Sequence, residues 1–311
     1  MTRVAIILLV AGGAFAAEIH VDALSGRKAI SPRLYGRNNS LSDDPKKPLS
    51  AKDWQFPRDA GVRMLRESGG NNATKYNWDN DRIRADGRYY VWLEYLIKRI
   101  AEEQQASGVR LLDVLDIHFY PSETKPEDIV QLHRVWFDES YNYPGANGDN
   151  PNVTAVWYAS TLGVFANEGV EMFLPWSWKT GMWEVLHLLS RYGQAIRVEA
   201  SSDNDELVSA YASVNADLSA MTVVLVNRSL SGNTNVNLAV ANFPLGRTEY
   251  EVLRLSGLPS TETFHSHTDN AIQEDTAAIE DGVMRLALPP LSVSAILLWN
   301  QPADDAADPN S

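Results

Sequence analysis

The hydrophobic pattern of this 311-residue chain changes period near Ala195, and that change calls for two architectures in one polypeptide. Before it, apolar residues recur alternately at strand and helix spacing. Residues 61–66 form a compact strand pattern, whereas 90–105 sets Leu93, Ile97, Ile100 and Ala101 on one helical face with Lys98, Arg99, Glu102 and Glu103 opposite. Residues 111–118 are largely apolar, as in a strand buried on both faces of a parallel sheet. A helix over 154–167, a strand over 170–174 and a helix over 184–192 stopped at Gly193 continue the alternation, which implies a parallel α/β layer. After Ala195 the pattern predicts short strands at 207–214, 221–226, 234–240, 250–255, 283–288 and 293–299. Turn residues such as Ser231-Gly-Asn233 separate them, the signature of an antiparallel β-sandwich. Two more short strands are expected at 19–23 and 30–36, around a turn at Gly26.

The amino terminus reads as a secretory signal: Arg3, an apolar stretch from Val4 to Val10, then small residues up to Ala17. Cleavage after Ala16 or Ala17 is expected, giving a secreted or periplasmic protein. No later run approaches the ~20 apolar residues of a membrane span, so no membrane partner is expected of the mature form. A formal net charge of −13 argues against nucleic acid, whose phosphates demand clustered Lys and Arg. The absence of cysteine excludes thiol catalysis, thiolate metal sites and disulfides. Nine Trp and twelve Tyr suit a ligand with flat C–H faces, such as a sugar. Residues 301–311 are acidic and unpatterned, as in a disordered tail.

Nucleotide-binding glycine loops, His-Glu-x-x-His and Gly-x-Ser-x-Gly do not occur, which leaves carboxylate chemistry. His265-Ser-His267 lies in a polar loop with no carboxylate cluster beside it, so neither a metal nor another cofactor is expected. The most informative string is Arg63-Met-Leu-Arg-Glu-Ser-Gly-Gly-Asn-Asn-Ala-Thr-Lys-Tyr-Asn-Trp-Asp-Asn80. It resembles the second-strand region of glycoside hydrolase family 44, the endo-β-1,4-glucanases and xyloglucanases. The resemblance extends to Ile30-Ser-Pro32 and Tyr35-Gly36. It resumes at Arg110-Leu-Leu-Asp-Val-Leu-Asp-Ile-His-Phe-Tyr-Pro121, at 134–141, at 162–170 and at the closing strand 288–298.

This resemblance implies a polysaccharide partner and a TIM-type β/α barrel with a β-sandwich attached. Arg66 corresponds to the arginine that orients a catalytic carboxylate and keeps it ionised. Asn71, Tyr76, Trp78, His118 and Tyr120 would line the sugar cleft, with Trp176, Trp178 and Trp183 as aromatics at the barrel mouth. Retaining hydrolysis also needs two carboxyls about 5–5.5 Å apart at the ends of different strands. In the family these lie in an Asn-Glu-Pro segment and in a Glu-Tyr segment closing a later barrel strand; Asn-Glu-Pro does not occur, and no Glu-Tyr closes a barrel strand expected here.

The barrel portion is far shorter than the ~250 residues of a full eight-unit barrel, so the fold expected is an incomplete TIM-type barrel over 31–194. A β-sandwich would be built from 18–30 and 195–300, after a signal peptide at 1–17. An open parallel sheet leaves strand edges that favour self-association. Substitute carboxylates would be Glu67, Glu123 or Glu171. Three readings follow: a hydrolase of β-1,4-linked plant polysaccharides with weak or absent activity, a non-catalytic polysaccharide-binding protein, or a defective gene product.

Overall fold

The computed structural model describes residues 16–38, 50–66, 89–108, 125–132, 150–175 and 178–300. Two compact units are present, residues 68–120 and the remainder. Among the described residues the first elements are β1 (Ala17–Asp22), β2 (Lys28–Ala29), β3 (Gly36–Asn38), α1 (Ala51–Asp59), β4 (Met64–Arg66), α2 (Tyr89–Ser107), α3 (Pro126–Ile129) and α4 (Pro151–Glu168). Then come α5 (Met182–Tyr192), β5 (Ile196–Ser202), β6 (Val208–Val214), β7 (Ala220–Asn227), β8 (Thr234–Ala241), β9 (Glu249–Leu255), β10 (Gln273–Glu280), β11 (Val283–Leu288) and β12 (Ser292–Trp299).

In the larger unit nine strands close on themselves in the order β1-β8-β11-β10-β9-β12-β7-β6-β5, with β2 added beside β5. The amino-terminal strand completes the ring. β1 runs parallel to β8, with Ile19 opposite Leu238, and antiparallel to β5, with Ile19 opposite Ser202. At the other side the junction is short: β10 follows β9 from Gln273 to Ala278 and meets β11 only at Ile279 and Glu280. A strand alternates its side chains between two faces, and β7 and β12 use both. Val223, Leu225, Ile296 and Leu298 point into the ring with Ile19, Leu238 and Met284. Their neighbours Val224, Val226, Ala295 and Leu297 belong instead to a second core shared with the helices. Hence β7 is buried at every position, whereas β1 and β11 alternate.

Helix α4 lies in that second core against α5, β6, β7 and β12. It is apolar nearly all round, as a helix with no solvent face must be. The Asn150 side chain accepts from the Asn152 and Val153 amides, Pro151 occupies the first turn, and Gly169 ends the helix at φ +75°. Glycine inside a helix normally costs about 0.5–1 kcal/mol relative to alanine. At Gly163, however, a Cβ would lie 2.4 Å from the Tyr211 ring on β6, so glycine is what allows helix and sheet to touch.

Residues 256–272, between β9 and β10, fold back over α4 and α5. The Asn152 amide pairs both ways with the Leu258 backbone (2.9 and 2.7 Å), and Phe264 is fully buried with its ring 5.3 Å from Phe56 and 5.2 Å from His187.

The expected 90–105 helix is α2, in the smaller unit, where Arg99 pairs with Glu102 and Glu103 at 2.7 and 3.4 Å. Two sequence expectations change. Residues 30–36 do not form a strand: Pro32–Leu34 make a single 3-10 turn capped by Ser31, because Pro32 fixes φ at its start, and only then does β3 begin. Residues 170–174 carry no ladder; their recorded backbone bond to β3's approach is Phe173 N–H to the Arg33 carbonyl, at 3.5 Å. The strand expected at 111–118 lies outside the described residues.

Candidate functional site

β3 and β4 are parallel neighbours in the register Gly36–Met64, Arg37–Leu65 and Asn38–Arg66. Arg66 therefore closes its strand beside Asn38, at the carboxyl end of the pair. The chain at 173–174 packs tightly on the opposite side of β3. A Cβ on Gly36 would come within 2.6 Å of both the Phe173 carbonyl and Leu174. Glycine is thus required where the two backbones approach.

Beyond residue 175 the chain supplies an aromatic cluster. Trp178 and Trp183 stack with centroids 4.1 Å apart and planes 20° from parallel. The Arg37 guanidinium carbon lies 5.4 Å from the Trp183 centroid, a cation–π contact that places β3 against the pair. Phe56 of α1 meets Trp183 edge-on at 4.9 Å, and Tyr158 meets Trp178 edge-on at 5.8 Å. Trp183 is buried and serves as wall; Trp178 is half-buried, one face taken by Trp183. Its indole N–H has no acceptor among the described residues, so a polar group remains at the edge of an apolar ring.

Glu171 is exposed and ion-paired with Arg33. Arg33 precedes β3, so this carboxylate sits toward the amino-terminal end of the strand pair, away from Arg66. Glu67, Glu123, Asn71, Tyr76, Trp78, His118, Tyr120 and Trp176 lie outside the described residues. The structure brings Trp178 and Trp183 together and keeps Glu171 apart from them.

Three buried polar side chains were not foreseen from sequence. Glu184 on α5 has no exposed surface. Its Oε1 accepts from Thr263 Oγ1 (2.6 Å) and from the Ala271 amide (2.9 Å), and its Oε2 has no partner among the described residues. Burial raises its carboxyl above the ordinary glutamate value, against the two hydrogen bonds, which lower it. One helical turn on, His187 is also fully buried, and its Nε2 lies 3.1 Å from His267 Nδ1. Burial, with His267 and Arg191 nearby, brings it down to about 4. Arg228, 3% exposed, donates to the Val130 and Asp205 carbonyls and to Ser160 Oγ. Their one sequence signal is position: Glu184 and His187 fall within the apolar run of α5. Among the described residues no three His, Cys, Asp or Glu side chains gather as metal ligands.

A cavity of about 50 Å³ opens between α4 and the ring, lined by Tyr35, Leu162, Gly163, Arg197 and Tyr211 among others. Small-molecule pockets run roughly 300–1,000 Å³, so it holds water at most.

The sequence profile of Glycoside hydrolase family 44 matches residues 51–123, from α1 through β4 and α2. No sequence match among curated proteins reaches significance. Solved structures match in fold. CelM2, a bifunctional glucanase-xylanase from a metagenome library, aligns at 15% identity and TM-score 0.63, covering 91% of this chain and 99% of that one. A family 44 endoglucanase from Clostridium acetobutylium ATCC 824 aligns at 14% and 0.65, covering 92% and 100%. A Paenibacillus polymyxa xyloglucanase of the same family aligns at 13% and 0.62, covering 91% and 99%. In sequence over 51–123, and in fold over most of its length, this chain is similar to glycoside hydrolase family 44.

Proposed function

We propose that this protein engages β-1,4-linked plant polysaccharides, such as cellulose-type glucan, xyloglucan or xylan, and turns them over weakly or not at all. The observation that carries the polysaccharide reading is the family 44 match at 51–123, which begins at α1 and runs through the strand that ends in Arg66. Trp178 supports it, as a half-buried aromatic ring beside Trp183. The reading of weak turnover rests on the absence of Asn-Glu-Pro, on the lack of a Glu-Tyr closing an expected barrel strand, and on the Arg33–Glu171 ion pair.

Within this reading, residues 31–194 form an incomplete TIM-type barrel, supported by the parallel β3–β4 pair, and the nine-strand ring is a flattened sandwich whose faces are bridged by β5 and β10. Affinity electrophoresis tests the binding. Migration should be retarded in gels containing xyloglucan, carboxymethylcellulose or xylan relative to a polymer-free gel, and equal mobility in all of them would refute polysaccharide binding.

Secretion belongs to the same proposal. β1 begins at Ala17, so cleavage after Ala16 leaves the ring whole, and the Glu18 amide keeps its 2.8 Å bond to Asp203. Mass spectrometry of exported protein should find a mature terminus at Ala17 or Glu18. An extracellular chain still beginning at Met1 would contradict it.

A further inference from the structure

The segment 256–272 is a long connection of the ring that reaches across to α5 and covers two ionisable side chains a helical turn apart. Glu184 receives Thr263 and Ala271 from it, and His187 meets His267. Phe264, between these contacts, packs on the His187 ring and seals both side chains from water. A carboxylate or an imidazolium without a bonded counter-charge is unfavourable at such a place, so burial favours the neutral form of each.

The charged and titratable groups around them do not reverse this. His265 favours the Glu184 anion and Glu262 opposes it; Asp59 of α1 favours a charged His187, while His267 and Arg191 oppose it. In each case burial is the largest influence.

We propose that segment 256–272 is a clasp on α5 whose grip is kept level with pH by the two oppositely titrating side chains it covers, Glu184 and His187. Opening the clasp exposes both groups to water, where glutamate titrates near 4.5 and histidine near 6.5. Between those values the open form carries Glu⁻ and HisH⁺, one proton in all. The closed form carries GluH and neutral His, again one proton. Because the slope of a conformational equilibrium with pH is the difference in bound protons, it vanishes. This level stretch begins near 4.5 and ends at 6.5, where the opened histidine gives up its proton, or lower if Glu184 ionises in place before that.

Removing either group removes the cancellation. With Glu184→Gln only His187 titrates: the open form gains a proton as pH falls from 6.5 toward 4, and opening should rise toward tenfold per pH unit. With His187→Gln only Glu184 titrates: the open form loses its proton as pH rises above 4.5, so opening should increase in the other direction. Glutamine keeps an acceptor for Thr263 and Ala271 at 184 and a donor toward His267 at 187.

The test is hydrogen exchange by mass spectrometry on the full-length protein, following peptides of 256–272 between pH 4.5 and 7 and dividing by intrinsic exchange rates. The proposal predicts a level opening constant in the wild type from pH 4.5 to at most 6.5, and opposite slopes in the two variants over that range. The Glu184→Gln/His187→Gln double variant should be level throughout, which keeps the test valid if one single variant opens too far to measure. Level profiles in both single variants, slopes of the same sign, or a wild type as steep as Glu184→Gln would each overturn it.

Discussion

Replacing the buried Arg228 with methionine should cost several kcal/mol of stability. The guanidinium ties together three pieces that are distant in sequence. Nε donates to Val130 at 2.9 Å, and the terminal nitrogens donate to the Asp205 carbonyl and to Ser160 Oγ, both at 2.8 Å. It thereby fastens the exit of β7 to the turn after α3, to the turn before β6 and to the middle of α4. Methionine fills much of the volume and donates to none of them. Each buried acceptor left without a donor costs about 1–3 kcal/mol, against a typical total stability of roughly 5–15 kcal/mol. Lysine should not rescue the site, because a compact ammonium cannot span three acceptors set in a planar fork. Urea unfolding followed by far-ultraviolet circular dichroism measures the effect. A fall in midpoint at unchanged slope is the expected result, and a loss under about 1 kcal/mol would show that water replaces the guanidinium.

The elements that sequence pattern anticipated are those in which one face decides burial. α4 was expected at 154–167 and runs from Pro151 to Glu168; β11 stands at its expected bounds of 283–288. What escaped prediction was polar or joined two surfaces. β10 (Gln-Glu-Asp-Thr-Ala-Ala-Ile-Glu) is exposed at most positions and β5 at several, yet both are needed to carry the ring around its corners. α1 shows little apolar periodicity and contains Pro57; its Phe56 ring on Trp183 and its capping box at Ser50 and Asp53 hold it. The strand at 170–174 failed for the opposite reason. Its apolar run is real, but it is consumed in side-chain packing, such as Phe173 against Phe165 at 5.0 Å, without a ladder.

Of the candidate site residues, the sequence anticipated some placements but not the buried polar groups. Arg66 falls at the carboxyl end of a strand beside Asn38, as its string implied, and Trp178 and Trp183 meet. The polar pair on α5 was not legible, because its partners Thr263, His267 and Ala271 lie about 80 residues away and their contacts arise only once the ring has folded. Burial of a charged residue is visible in a sequence only when its partner is local.

The second large effect concerns catalysis. Glycosidic cleavage with retention uses one carboxyl to protonate the leaving oxygen and another to attack, and proton transfer alone contributes roughly 10²–10⁴-fold. On the proposed reading both motif glutamates are missing; Glu171 is ion-paired with Arg33, and Glu184 is buried against Thr263. A cleft with aromatic walls and no acid can still hold a chain of sugars, because stacking needs only the ring face. Hydrolysis should therefore fall below that of an ordinary family 44 endoglucanase by at least the loss of acid–base help, while binding persists. The most direct test is the release of reducing ends from xyloglucan, carboxymethylcellulose and xylan by one purified preparation that is shown, in the same polymers, to be retarded on electrophoresis. The account predicts retardation with reducing ends at the background rate. Robust turnover, abolished by Glu67→Gln or Glu123→Gln, would contradict it and place an intact catalytic pair in this chain.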